Sequence, residues 1–126
     1  MRSRSLQLWL PVLVYMAGIF AASSLSSPPV PGGADKPWHA LAYCGLSVLV
    51  VRAWVHGLPA RITPRIFFIS VCLVVFYGVT DEVHQMFVAG RTASIDDLFA
   101  DTIGALIGAG LCWAWGIITP TSRNEL

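Results

Sequence analysis

Apolar residues in this chain do not alternate with polar ones. They gather in four long runs, Leu6 to about Ser24, Trp38 to about Val55, Ile66 to about Phe87, and Leu98 to Ile118. Each run holds roughly 18–22 residues, and about 20 helical residues cross a hydrocarbon core about 30 Å thick. The breakers lie between the runs. Ser26-Ser27-Pro28-Pro29-Val30-Pro31-Gly32-Gly33 ends the first, His56-Gly57-Leu58-Pro59 with Pro64 separates the second and third, and Ala89-Gly90-Arg91 with Ser94 separates the third and fourth. The pattern predicts an all-α bundle of four transmembrane helices at about 6–24, 38–55, 66–87 and 97–118, forming one domain over residues 1–126. Pro11 falls in the first turns of the first helix, where proline is tolerated. Thr119 to Leu126 reads as a short polar tail.

Composition supports lipid as the solvent. The chain is 56% hydrophobic and only 12% charged, against about 25% charged in a soluble domain. A net charge of +1 gives no basic field for nucleic acid. Cys44, Cys72 and Cys112 each fall in a different apolar run and read as small buried hydrophobes rather than a disulfide framework. Arg2 and Arg4, an apolar stretch and Ala21-Ala22-Ser23 also describe a secretory signal. The stretch exceeds the usual signal length, so a retained helix is expected.

Positive residues set the predicted orientation. Arg2, Arg4, Arg61, Arg65 and Arg123 share one side, with Arg52 close by, while the other holds Lys36 and Arg91. The positive-inside rule then puts both termini in the cytoplasm of a bacterial inner membrane. Trp9, Trp54, Trp113 and Trp115 fall near the inner interface and Trp38 near the outer one.

The acidic residues gather on the outer side. Six of the seven, all but Glu125, fall in that half. Asp35, Lys36 and His39 start the second helix, with Tyr43 one turn deeper. Asp81, Glu82, His84 and Gln85 end the third. Arg91 follows, and Asp96, Asp97 and Asp101 open the fourth. Asp81 lies roughly 22 Å along a helix that begins at Ile66. Carboxylates at such depth need partners, water or a proton, and usually face the bundle interior. His39 and Tyr43 share a face, as do Asp81 and Gln85. Asp97, Asp101, Gly104 and Gly108 form one stripe, whose glycines let a neighbouring helix approach.

Each residue also has a plainer reading. Asp96 or Asp97 reads as a cap of the fourth helix, with Ser94 assisting. Lys36 reads as a snorkelling charge, His84 as a headgroup-facing residue and Tyr43 as packing. Asp81 and Glu82 read as ion-pair partners of Arg91 or Lys36 that lock the outer loops. No spaced metal signature is present, so no metal and no cofactor is expected. Ser23, Ser24 and Ser94 have no base paired with them in sequence, and no phosphate-cradling glycine loop occurs.

At these residues the sequence resembles the VanZ-like family of small bacterial membrane proteins. The matching segments are Asp35-Lys36-Pro37-Trp38-His39 with Tyr43, Asp81-Glu82-Val83-His84-Gln85-Met86-Phe87, Gly90-Arg91, Ser94-Ile95-Asp96-Asp97, and Asp101-Thr102-Ile103-Gly104 with Gly108. The Phe20 to Ser24 end of the first helix is also similar. Asp101 departs from the family, whose members often carry Asn there. The resemblance implies a four-helix membrane protein, and the name-giving member is tied to resistance against teicoplanin, a lipoglycopeptide. It supplies no reaction.

Three functions compete. The first is an envelope protein whose outer polar pocket binds an amphiphile or lipid-linked headgroup. In it Arg91 and Lys36 contact phosphate or carboxylate, while Asp35, His39, Tyr43, Asp81, Glu82, Gln85, Asp97 and Asp101 supply hydrogen bonds. The second is a membrane-embedded enzyme acting on an envelope lipid or peptidoglycan precursor, with His39 and Asp81 or Glu82 as acid and base. The third is a structural subunit. A proton-coupled carrier fits poorly, because the inner half of the bundle is nearly all apolar. Oligomeric state is not legible.

The topology has a direct check. In a background without native cysteines, Cys at positions 36 and 91 should react with an impermeant maleimide from one side of the membrane. Cys at position 61 should react from the other.

Overall fold

The computed structural model describes residues 2–25, 35–91 and 93–119, which include four α-helices and no strand. These are α1 (Arg2–Ser23), α2 (Asp35–Trp54), α3 (Pro64–Gln85) and α4 (Ile95–Ile118). The predicted breaker at 26–33 and the predicted tail from 120 onward lie outside the described residues.

Caps move the helix starts ahead of the apolar runs. Thr63 is the N-cap of α3, its hydroxyl accepting from the Ile66 N–H at 3.2 Å, and Pro64 sits in the first turn, where its missing N–H costs nothing. Ser94 is the N-cap of α4 and accepts from the Asp96 N–H at 3.1 Å. That assigns the cap to Ser94 itself, with Asp96 and Asp97 in the first turn, where negative charge suits the helix dipole. Helix α1 extends back to Arg2, so Pro11 stands in its interior rather than its first turns, and the Gln7 carbonyl loses its i+4 donor. The Arg4 guanidinium donates to the His56 carbonyl at 3.0 Å, tying the start of α1 to the α2–α3 loop.

The bundle exposes large apolar side chains and buries several polar ones beside its apolar core. Leu13, Val14, Phe68, Phe76, Leu111 and Ile117 are exposed, while Ser47, Ser70, Asp81, Gln85 and Asp101 are buried. Water would not tolerate so much contiguous apolar surface, whereas hydrocarbon does. Helices α1, α3 and α4 are long and apolar enough to cross a membrane. Helix α2 falls outside that group: Lys36, His39 and Arg52 make its ends polar. Its middle is instead the most enclosed part of the bundle, with Tyr43, Leu46, Ser47, Val50 and Val51 buried. Of the cysteines, Cys112 is buried and Cys44 half-buried, but Cys72 is exposed on the outer face of α3, against the expectation that all three are interior.

Helix α2 makes its most extensive contact with α4. A side chain on Gly104 would collide with the Ala40 carbonyl, and one on Gly108 with the Cys44 carbonyl. The Ser47 hydroxyl donates to the Ala105 carbonyl at 2.8 Å across the same seam. Below it, Leu46, Val50, Val74 and Ala105 pack with Leu8 and Val12 of α1.

Gly104→Ala should therefore destabilise the bundle by about 1–3 kcal/mol through overpacking. Gly110→Ala, where added carbon meets nothing within 4 Å, should be neutral or stabilise by up to about 1 kcal/mol through helix propensity. Unfolding of both variants in detergent separates the two outcomes.

Candidate functional site

Three faces converge at one end of the bundle. Helix α3 buries Ser70, Val74, Gly78, Asp81, Glu82 and Gln85, a stripe that turns from small to polar toward its C-terminus. Helix α4 buries Asp97, Asp101, Gly104 and Gly108, with its acids at the N-terminal end. Helix α2 runs between them and presents His39 and, one turn on, Tyr43.

His39 stands among the acids of α4. Its Nδ1 lies 2.9 Å from Asp101 Oδ1 and its Nε2 lies 3.9 Å from Asp97 Oδ2. The close α2–α4 seam explains the pairing: Gly104 meets Ala40, so Asp101, one turn earlier, meets the neighbouring His39. Gly78 makes room on the α3 side, where a Cβ would stand 3.1 Å from Asp101 Oδ2. The His39 and Tyr43 rings lie nearly parallel, with centroids 6.5 Å apart. The Tyr43 hydroxyl donates to Asp81 Oδ2 at 3.2 Å.

The sequence pairs His39 with Asp81 or Glu82; the structure assigns it Asp101 instead. Asp81 is taken by Tyr43. Glu82 turns toward the start of α4, where its Oε2 accepts the Ser94 N–H at 2.9 Å and joins the end of α3 to the cap of α4. Nor does Arg91 pair with these acids, since its guanidinium donates to the Leu25 carbonyl at 2.9 Å. His84 does not simply face outward: it stacks on Phe20 with centroids 4.3 Å apart, and its Nε2 lies 3.4 Å from the Ser24 hydroxyl.

Between α1, α2 and α3 is a cavity of about 190 Å³. Its lining combines apolar Ile19, Ala22, Ala42 and Trp38 with polar Ser23, His39, Tyr43, Asp81, Gln85 and Arg91. Gln85 reaches across to α1, its amide donating to the Ser23 hydroxyl at 3.4 Å. Glu82, Asp97 and Asp101 do not line the cavity; Asp97 and Asp101 contact His39, which does. Lys36 is exposed at the start of α2 and is not among the lining residues. Asp35 begins α2, and its side chain lies outside the described residues.

Sequence reasoning weighed Ser23 only as a hydroxyl without a base and Trp38 only as an interface residue, and it did not single out Gly78. Ser23 and Trp38 line the cavity, and Gly78 clears space for Asp101. Gly78 had a readable signal, since Ser70, Val74, Gly78 and Asp81 recur at helical spacing. For Ser23 the signal was its place in the Phe20 to Ser24 segment, while its contact with Gln85 depends on how α1 meets α3.

Six buried side-chain atoms have no hydrogen-bond partner among the described residues: Ser70 Oγ, Glu82 Oε1, His84 Nδ1, Gln85 Oε1, Asp97 Oδ1 and Asp101 Oδ2. Buried polar atoms are nearly always satisfied, so the five at this end of a small bundle, all but Ser70 Oγ, need an explanation. Chemically, the arrangement offers an imidazole backed by carboxylates, a phenol held by another carboxylate, and one guanidinium at the cavity wall.

The chain matches the family profile described as VanZ/LLP1 over residues 8–118. No curated protein and no solved structure matches the chain.

The Tyr43–Asp81 bond can be isolated with a double-mutant cycle. Tyr43→Phe and Asp81→Asn, alone and together, should give a coupling of about 0.6 kcal/mol and no more than about 1.7 kcal/mol, the average and the maximum found for side-chain hydrogen bonds between membrane helices. Equilibrium unfolding in mixed micelles measures it.

Proposed function

The chain belongs to the VanZ/LLP1 family, and from that premise we propose that this membrane protein binds an envelope amphiphile with an anionic headgroup. The observation that carries the reading is the mixed lining of the cavity, in which apolar Ile19, Ala22, Ala42 and Trp38 stand with polar His39, Tyr43, Asp81, Gln85 and Arg91. An acyl or aromatic portion packs against the apolar residues. A phosphate or carboxylate accepts from Arg91, whose planar donors suit such groups. Sugar or amide groups exchange hydrogen bonds with Gln85, Tyr43 and Asp81. Lipid-linked cell-wall precursors and lipoglycopeptides share this chemistry, which links the reading to the family's teicoplanin-resistance member.

In this reading all four helices cross the bacterial cytoplasmic membrane, α2 being shielded by the other three. Both termini lie in the cytoplasm and the cavity opens on the outer side. Support comes from the bias of Arg4, Arg52, Arg61 and Arg65 toward one end, and from the Trp9–Trp54 contact at that end, with ring centroids 5.2 Å apart.

A second reading, an enzyme acting on the same class of amphiphile, draws on one observation. His39 lines the cavity while its Nδ1 is held 2.9 Å from buried Asp101. A carboxylate that fixes an imidazole tautomer is a familiar support for acid–base catalysis.

Arg91→Gln should lower retention of an anionic lipid-linked headgroup at least about tenfold, the loss expected for a charge-assisted contact worth about 1.5–3 kcal/mol. Retention of a neutral amphiphile with the same tail should be unchanged. Native mass spectrometry of the purified chain reads both. Unaltered retention of the anionic species would defeat the binding reading. A modified lipid present in extracts of expressing cells and lost with His39→Gln would favour the enzyme.

A further inference from the structure

We propose that His39, Glu82 and Asp101 form a binding site for a divalent first-row transition cation, such as Zn²⁺ or Mn²⁺. Each offers a ligand atom, and these atoms all lie within 4.8 Å of one another. They come from three different helices, α2, α3 and α4, so the site is built by tertiary packing rather than by one acidic segment.

An observation beyond proximity points to a cation, the state of the carboxylates. Asp101 is fully buried, Asp97 is 6% exposed and Glu82 is 8% exposed, yet Asp101 Oδ2, Asp97 Oδ1 and Glu82 Oε1 have no hydrogen-bond partner among the described residues. Lone pairs left over in a dry interior are the donor set that a cation requires. His39 stands against the same acids, with Nδ1 2.9 Å from Asp101 Oδ1 and Nε2 3.9 Å from Asp97 Oδ2, so an imidazole nitrogen joins those oxygens.

The ligand types select the class of ion. Imidazole favours first-row transition metals and carboxylates favour harder divalent ions, so a mixed set fits Zn²⁺ or Mn²⁺ better than Ca²⁺. The separation between His39 Nδ1 and Asp101 Oδ1, 2.9 Å, is close to that of two ligands at a right angle on one ion, about 3 Å for bonds of about 2.1 Å, and a tetrahedral zinc site would open it to about 3.4 Å. Glu82 offers an oxygen within 4.8 Å of the other two ligand atoms. Asp97, with an oxygen 3.9 Å from His39 Nε2, is placed to orient the imidazole as an outer partner. The cation would lie behind the cavity wall, on the side of His39 away from the proposed amphiphile, and the inference does not rest on that ligand.

The test uses the full-length chain in detergent, stripped with EDTA, equilibrated with Zn²⁺ or with Mn²⁺, dialysed, and assayed by elemental mass spectrometry. About one ion per chain is expected with at least one of the two metals, as for a protein site with a full ligand set. Glu82→Gln and Asp101→Asn keep shape and should each weaken binding by more than about tenfold, more than loss of an outer partner alone brings at its weakest. Circular dichroism and elution volume verify that they fold. Should either variant fail to fold, wild-type chain with Mn²⁺ still decides, because pulsed electron paramagnetic resonance should detect coupling to an imidazole nitrogen. Substoichiometric metal with both ions, wild-type affinity in both folded variants, or Mn²⁺ without nitrogen coupling overturns the proposal. Arg91→Gln should bind metal as the wild type does, so failure of the amphiphile reading and failure of this one are distinguishable.

Discussion

The structure depends on how closely α2 and α4 approach. Two glycines on α4 admit the α2 backbone, with Gly104 against Ala40 and Gly108 against Cys44. Ser47 closes the seam with a hydrogen bond to Ala105. In lipid, helices gain little by hiding apolar surface from one another, so small residues and internal hydrogen bonds must supply the association. The seam also sets register. Because Ala40 sits at Gly104, His39 falls beside Asp101 and Tyr43 faces α3, where Asp81 receives its hydroxyl. The position of the imidazole follows from a packing contact one turn away from it.

Around that seam the usual arrangement of a water-soluble bundle is reversed. Phe68, Phe76, Ile103 and Ile117 point outward, while Asp81, Gln85 and Asp101 point in. Such an interior is tolerable only if its polar groups are held by protein or ligand. Some are held: Asp81 by Tyr43, one oxygen of Glu82 by the cap of α4, and the Gln85 amide by Ser23. Of the oxygens without a partner among the described residues, those of Glu82, Asp97 and Asp101 lie on acidic side chains near His39, that of Gln85 belongs to a residue lining the cavity, and Ser70 Oγ lies deeper in α3. Structural and ligand-binding roles thus divide within single side chains, as Glu82 shows: one oxygen fixes a loop and the other is left over.

Helix number and the gathering of acids at one end were legible from the sequence, because both follow from spacing along the chain. The stripe of Asp97, Asp101, Gly104 and Gly108 is a case where helical period alone names an inward face. Helix ends were less legible. Thr63 and Ser94 start α3 and α4 before their apolar runs begin, since a cap is a property of one hydroxyl rather than of composition. Pairings were the hardest to read. Whether His39 meets Asp101 or Asp81 depends on the rotation of α2 between its neighbours, and no interval along the chain encodes it. The contact of Ser23 with Gln85 escaped for the same reason. Helix α2 shows the limit of apolarity as a signal, because its polar ends lower its average while its middle is the best-packed part of the bundle.

Deeper in the bundle than Tyr43 the buried side chains are mostly apolar, among them Leu46, Val50, Val74 and Ala105, with Ser47 and Ser70 the buried hydroxyls. Arg91 both lines the cavity and donates from its guanidinium to the Leu25 carbonyl at 2.9 Å. One side chain is thus a lining group and a strap to the chain just after α1, so a shift of that segment would carry the guanidinium with it.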